Sequence, residues 1–274
     1  MSDDWEDDEE YEEWEEEGDE RPLAPPSSLT LGFLALVPLL ASYETARAAI
    51  GGSLRSTSEL LLGHLFLVAG DFADAVRIAL LASAAAACLV YARRQGWRIT
   101  RSLMRTGVEG LVGAMLLGPV LLMLLTFVGD RVSEVALPRG LPPDVPDLAR
   151  TALVFGAAAW EELCFRLGVY SILYLLARRL AGLLRVGERP ARWTADAVAL
   201  VGSALVFATG HLDVVVRFLG SGGEPFHSGL FVWRAFAGLY LGILYRWRGL
   251  GVAGWAHGLF NVGLILGAGP AVLV

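Results

Sequence analysis

Two adjacent carboxylates and an arginine lie inside a long apolar stretch of this chain. Glu161, Glu162 and Arg166 fall within residues 151–177, where most other side chains are apolar. Placing one charged side chain at the centre of a bilayer costs about 3 kcal/mol even on lenient insertion scales. Ionisable residues in such stretches are rare and commonly mark a functional site, so these three residues are the first candidates for chemistry.

The spacing of the three residues predicts different roles for the two glutamates. On a helix, Glu162 and Arg166 are four residues apart and share a face, with the acid N-terminal to the base, which is the favourable order for an ion pair. Glu161 is rotated by about 100° from its neighbour. We therefore expect an ion pair that neutralises Glu162 and leaves Glu161 facing a polar cavity, where a carboxylate can act as a general base.

Two further polar motifs occupy later apolar stretches. Phe207 and His211 are four residues apart near the end of residues 194–219, and His257 and Asn261 have the same spacing in the last apolar stretch. Histidine has a proton affinity suited to neutral pH, and an asparagine amide can donate hydrogen bonds to an oxyanion. One such histidine, or one Glu–Arg pair, can be purely structural. Three polar motifs on separate stretches favour a shared catalytic site.

Apolar runs long enough to span a bilayer position these motifs. The chain is 55% hydrophobic, its mean hydropathy is +0.53, and one span needs about 20 mostly apolar residues. We therefore predict an all-α, polytopic membrane helix bundle of about seven to eight transmembrane helices. The predicted spans are 29–49, 73–92, 107–128, 151–177, 194–219, 229–246 and 250–272, with a short interfacial or re-entrant piece at 59–70.

The charges between the spans predict the orientation of the chain. All 22 basic residues are arginines, and they concentrate near 93–105, 178–192 and 246–248. By the positive-inside rule these loops face the cytoplasm, which places the N-terminus inside and, with seven spans, the C-terminus outside. We expect a multi-pass protein of the cell membrane (a prokaryotic inner membrane) with a cytoplasmic N-terminus.

An acidic segment precedes the predicted membrane domain. Residues 1–20 carry 14 of the 29 acidic residues and no basic one, a composition typical of disorder. We divide the chain into an acidic disordered cytoplasmic tail with a Pro/Ser linker at 1–27 and a helical domain at 28–274. The acidic tail dominates the net charge of −7, and the rest of the chain is basic.

Several other polar or sulfur-containing residues are not expected to take part in chemistry. His64 lies in the short apolar piece and His227 in a loop, so both are interpreted as bystanders. Asp213 is expected to meet water at the end of a span. Cys88 and Cys164 lie in separate spans, which argues against a disulfide framework and favours buried packing.

Taken together, the three polar motifs resemble the CAAX prenyl endopeptidase and bacteriocin-processing family of intramembrane proteases. That family's pattern is Glu-Glu-x-x-x-Arg, then Phe-x-x-x-His, then His-x-x-x-Asn, on separate helices. The chain supplies all three in order over about residues 150–265, and departs at Leu167, where a glycine is frequent. The resemblance implies catalytic roles for Glu161, Glu162, Arg166, His211, His257 and Asn261.

This resemblance implies an endopeptidase that cleaves near the terminus of a membrane-associated or exported protein or peptide. Glu161 would activate a water, which His211 positions or shares a proton with. His257 and Asn261 would stabilise the oxyanion. Prenylated tails, bacteriocin-like peptides and C-terminal sorting tails all remain open as substrates. The expected partners are a substrate with a terminal tail and the lipid bilayer, without nucleic acid.

Metal-free and metal-dependent mechanisms both fit the resemblance. If a divalent metal such as zinc is present, its ligands would be Glu161, His211 and His257. The chain has no His-Glu-x-x-His helix of the kind that carries zinc in many proteases, which favours a mechanism without a cofactor.

One alternative function and one geometric conflict stay open at this point. A proton-coupled transporter or a scaffold could reuse the same fold and the same ionisable residues. The predicted spans put Glu161 about 15 Å from the outer face and His211 closer to that face. His257 falls nearer the inner face, so a single site requires shifted or tilted helices. Two of the three motifs thus favour access from outside.

Overall fold

Helices form the regular secondary structure of the described chain, which confirms the predicted all-α class. The structure is a computed structural model and describes residues 21–51, 56–128, 145–219 and 225–267. In chain order the helices are α1 (Leu29–Ala49), α2 (Thr57–Gly63), α3 (Ala73–Arg94), α4 (Ile99–Val128), α5 (Asp147–Glu161), α6 (Ser171–Leu183), α7 (Glu188–Thr209), α8 (Asp213–Val216), α9 (Ser228–Arg248) and α10 (Leu250–Gly267).

Three tighter or wider helical segments connect these elements. A 3₁₀ segment, His64–Phe72, joins α2 to α3, and a second, Arg217–Leu219, follows α8. A π-helical segment, Glu162–Tyr170, joins α5 to α6, so that helical structure continues from Asp147 to Leu183. The predicted acidic tail, residues 1–20, lies outside the described residues.

The described helices include enough membrane-length apolar segments for a multi-pass membrane protein. Five of them have the length and composition to cross a membrane, and Leu250–Leu266 is a shorter apolar helix. The five are Leu29–Ala49, Ala69–Arg94, Ile99–Leu124, Glu188–Thr209 and Ser228–Arg248. The piece predicted at 59–70 is the short α2 followed by the 3₁₀ segment, which contains a non-helical Gly70 with φ +53°.

The predicted end of one span is wrong. Hydropathy alone extends the fifth predicted span to residue 219, whereas α7 ends at Thr209 and the chain turns at Gly210. Leu212 is extended, with φ −73° and ψ 139°, before α8 begins. Glycine has low helix propensity, and the turn that it permits places His211 beyond the helix end rather than inside a span.

Close backbone contacts hold α10 in the middle of the bundle. A Cβ atom added at Gly110 of α4 would lie 2.4 Å from the Trp255 Cβ, and one at Gly113 would lie 3.1 Å from the Ala256 Cβ. Small residues at membrane helix interfaces allow this approach. On the other side of the site, Gly238 of α9 faces α7, since its added Cβ would lie 3.0 Å from the Ala204 Cα.

Candidate active site

The acidic motif begins where α5 passes into the π-helical segment. Glu161 is the last residue of α5, and Glu162 is the first residue of the wider helix. The sequence predicted ordinary α-helical geometry for the whole motif, and the structure differs here. A π-segment has i→i+5 hydrogen bonds and is frequent at functional sites. A π-helical turn contains more residues than an α-helical turn. Side chains after the segment therefore point in different directions from those they would have on a continuous α-helix.

The predicted ion pair between Glu162 and Arg166 is present and fully buried. The Glu162 Oε2 and Arg166 Nε atoms are 3.3 Å apart, and both side chains have no exposed surface. Arg166 also donates from Nη2 to the Gly238 carbonyl at 3.1 Å and lies 4.7 Å over the Phe207 ring. Among the described residues its Nη1 has no hydrogen-bond partner. Arg166 therefore links three helical elements and keeps one buried donor for water or substrate.

His257 lies between the two glutamates. Its Nδ1 hydrogen-bonds Glu162 Oε1 at 2.8 Å, and its Nε2 lies 3.5 Å from Glu161 Oε2. A carboxylate accepts hydrogen bonds, so Nδ1 carries a proton and Nε2 faces Glu161. Glu162 thus orients His257 as well as pairing with the arginine.

The Phe207 ring joins the second motif to this cluster. It contacts the His211 ring at 4.9 Å and the His257 ring at 5.9 Å between centroids. His211 donates from Nδ1 to the Phe207 carbonyl at 2.8 Å, which leaves its Nε2 as the nitrogen available to water or substrate. Phe207 is buried as a core residue would be, and it also positions two histidines.

Asn261 and the remaining histidines complete the set of sequence predictions. Asn261 lies one helical turn beyond His257 on α10 and is half-buried, and its oxyanion role stays a prediction. His64 is exposed and bonds the Leu60 carbonyl of its own helical segment at 2.7 Å. His227 is exposed at the start of α9. Nothing in these positions gives either of the two histidines a part in the cluster.

Arg234 is a candidate that the sequence interpretation missed. It lies on α9 one turn before Gly238, it is 9% exposed, and its charge acts on both Glu161 and His211. The signal was present in the sequence, because an arginine inside the predicted span 229–246 is costly in the same way as the acidic motif.

The conditional metal ligands can be compared with their observed hydrogen bonds. Among the described residues, no group of three or more His, Cys, Asp and Glu side chains is arranged to hold an ion. In the conditional set of Glu161, His211 and His257, both histidines already use Nδ1 for protein hydrogen bonds. Such a bond leaves Nε2 as the nitrogen that a metal would use, so the metal-free and metal-dependent alternatives both stay predictions.

The contacts of Gly254 give the position of Glu162 along two neighbouring helices. A Cβ added at Gly254 would lie 2.2 Å from Leu36 Cδ2 and 3.9 Å from Glu162 Cγ. Gly254 is near the start of α10 and Leu36 is in the first half of α1, so Glu162 lies about 6–11 Å along those helices from their N-terminal ends. The side of the membrane from which the site is reached stays a prediction.

Fold and site together define a multi-pass helical membrane protein with a buried Glu–His–Arg cluster. Residues 147–263 match the model of a protein family described as type II CAAX prenyl endopeptidase Rce1-like. The match covers 117 of the 274 residues, and this part of the chain resembles the CAAX-type endopeptidase family. The matched region runs from α5 into α10 and contains all three motifs. The comparisons with curated proteins and with solved structures each found no match.

Proposed function

We propose that this protein cleaves a peptide bond near the terminus of a membrane-associated or exported protein or peptide, using a water activated by Glu161. The observation that carries the proposal is the position of Glu161, 3.5 Å from a histidine nitrogen whose ring is fixed on its other side by Glu162. A carboxylate can act as a general base, and an oriented imidazole and a buried guanidinium can stabilise the negative charge that develops during peptide hydrolysis.

The proposed reaction uses the cluster in two steps. Glu161 removes a proton from the water while the water oxygen bonds to the substrate carbonyl carbon, and the carbonyl electrons move to its oxygen. His257 and Asn261 stabilise that oxyanion, and His211 positions the water. When the intermediate collapses, the C–N bond breaks and the proton held by Glu161 passes to the leaving amine. The base thereby returns to its starting state.

The proposed reaction is metal-free, because the chain has no His-Glu-x-x-His helix of the kind that carries zinc in many proteases. Cleavage by purified protein should persist after treatment with a strong chelator and dialysis. Loss of cleavage that added zinc restores would contradict this part of the proposal, while leaving Glu161 and the two histidines as candidates for the site.

The decisive experiment is cleavage of fluorogenic tail peptides, prenylated and unprenylated, by protein reconstituted in liposomes. Glu161→Gln keeps the size of the side chain and removes the basic carboxylate, so the rate should fall about 10²–10⁴-fold in folded protein. His64→Ala and His227→Ala serve as matched controls and should cleave at the wild-type rate. A folded Glu161→Gln protein that cleaves normally would contradict the mechanism and favour transport or scaffolding.

The proposed location is the cell membrane, with the N-terminus in the cytoplasm. The proposed substrate class is a terminal tail that reaches the site at a membrane surface. Comparison of protein termini between cells with and without the gene would distinguish prenylated tails, bacteriocin-like peptides and C-terminal sorting tails.

A further inference from the structure

A second buried ionic network lies outside the region of family similarity, among α1, α2 and α3. Arg77 of α3 is 3% exposed and its Nη2 lies 2.9 Å from Glu44 Oε2. The same guanidinium pairs with Glu59, which has no exposed surface. Such groups are expensive to bury, and they are tolerated when hydrogen bonds fix them.

Further hydrogen bonds fix the position of the Glu59 carboxylate. The Tyr43 hydroxyl donates to Glu59 Oε2 at 2.6 Å and accepts from the Ser56 backbone N–H at 2.7 Å. Tyr43 itself presses against α5, since a Cβ added at Gly156 would lie 2.4 Å from the Tyr43 Cβ. The network therefore holds the Arg77 guanidinium in one place relative to α5.

Arg77 faces the residue that directly precedes the proposed base. Its guanidinium lies 5.3 Å from the centroid of the Trp160 ring, and Trp160 is 3% exposed. Among the described residues the indole N–H of Trp160 has no hydrogen-bond partner although it is buried. Among the described residues, Trp160 therefore interacts with Arg77 through its ring face and makes no hydrogen bond from its N–H. A cation over an aromatic face is strongest where both are desolvated.

We propose that Arg77 and Trp160 form a positioning pair that fixes the end of α5, and with it Glu161, for the cleavage step. The inference rests on the proposed function of Glu161 and adds a role for α1–α3, which the family similarity does not cover. Catalytic geometry is sensitive at this scale, because a displacement of about 1 Å can cost about 100-fold in rate. Neither residue touches the substrate in this proposal.

The first test compares two substitutions of Trp160 in full-length protein reconstituted in liposomes. Trp160→Leu removes the ring, and kcat should fall at least about tenfold while KM stays within about twofold. Trp160→Phe keeps a face for the cation and loses no hydrogen bond, so kcat should stay within about threefold. Trp97→Leu removes an indole that packs on Tyr91 at 5.9 Å, and as a control it should leave kcat unchanged.

Three outcomes of the Trp160 comparison would contradict the proposed positioning pair. A wild-type kcat in Trp160→Leu, an equal fall in both Trp160 variants, or a change confined to KM would each do so. Measuring Glu161→Gln in parallel separates the two proposals. An active Glu161→Gln overturns the proposed function, whereas an inactive Glu161→Gln beside a fully active Trp160→Leu overturns only the positioning pair.

A second variant covers the case in which Trp160→Leu does not fold. Arg77→Lys keeps a positive charge against Glu44 and Glu59 and loses the flat guanidinium, so kcat should fall while KM changes little. If Arg77 acts through Trp160, the double variant Arg77→Lys/Trp160→Phe should show no larger loss than Arg77→Lys alone. Multiplying losses in the double variant would overturn the proposal.

Discussion

Arg166 is the residue whose loss should be most damaging to the fold of the site. It has no exposed surface, and its removal would leave Glu162 buried beside His257 without its cation. Breaking a buried pair in this way costs about 3–5 kcal/mol in soluble proteins. Arg166→Ala should therefore lower both folded yield and melting temperature in detergent, together with activity. Wild-type yield and thermal stability in this variant would show that the pair is not structural.

Arg234 should affect cleavage more than stability. Its guanidinium is one of several charges that act on the Glu161 carboxylate, where a positive charge opposes the effect of burial on a general base. Arg234→Gln should lower kcat/KM about tenfold, which corresponds to roughly 1.4 kcal/mol of lost charge interaction. Arg246→Gln makes the same change on the same helix, at an exposed pair with Asp196, and should cleave normally. Equal activity of the two variants would contradict a role for Arg234.

At the scale of residues, contacts between residues close in sequence could be predicted, and contacts between distant residues could not. The Glu162–Arg166 pair follows from a local spacing of four residues, so the sequence alone predicted it. The contact between Glu162 and His257 joins residues that are 95 positions apart, so no local sequence pattern predicts it. The resemblance grouped these residues in one site and assigned His257 to the oxyanion, or to a metal if one is present, whereas the structure shows that it also contacts both glutamates.

At the scale of elements, the contact between α1 and α5 should tolerate no added atom at Gly156. A Cβ there would lie 2.5 Å from the Leu39 carbonyl oxygen and 2.4 Å from the Tyr43 Cβ, so one helix must shift. Gly156→Ala should lower stability by about 1–3 kcal/mol, measured by thermal unfolding in detergent. Gly107→Ala on α4, where an added Cβ meets nothing within 4 Å, should be neutral or stabilising. Similar stability of both variants would show that α1 and α5 pack less closely.

Element boundaries show which part of the fold hydropathy could not give. The first span was predicted with the bounds that α1 has, since its apolar run is flanked by a Pro/Ser linker and an arginine. The end of α7 was missed because the apolar run continues through Val214–Val216 after the turn at Gly210. Hydropathy records whether a segment is apolar but not whether its backbone stays helical. The location of His211 depends on that difference.

At the scale of the whole molecule, the arginine-rich ends of the helices and the location of the site point to the same membrane face. Glu162 lies about 6–11 Å along α1 and α10 from their N-terminal ends, and the N-terminal end of α10 follows Arg246 and Arg248. By the positive-inside rule we expect those ends to face the cytoplasm. This geometry favours substrate access from the cytoplasmic half of the membrane, in contrast to the outer access that the predicted spans favoured.

The orientation can be measured with single cysteines in a chain that has only Cys88 and Cys164 to replace. Gln95→Cys and Arg189→Cys lie at exposed positions on the predicted cytoplasmic face, and His227→Cys lies at an exposed position on the other face. A membrane-impermeant maleimide added to intact cells should label only His227→Cys, and permeabilised cells should label all three. The reverse pattern would invert the bundle, because the three positions lie on helices whose directions alternate. It would also place Glu161 nearer the outside and make exported tails, rather than cytoplasmic ones, the expected substrates.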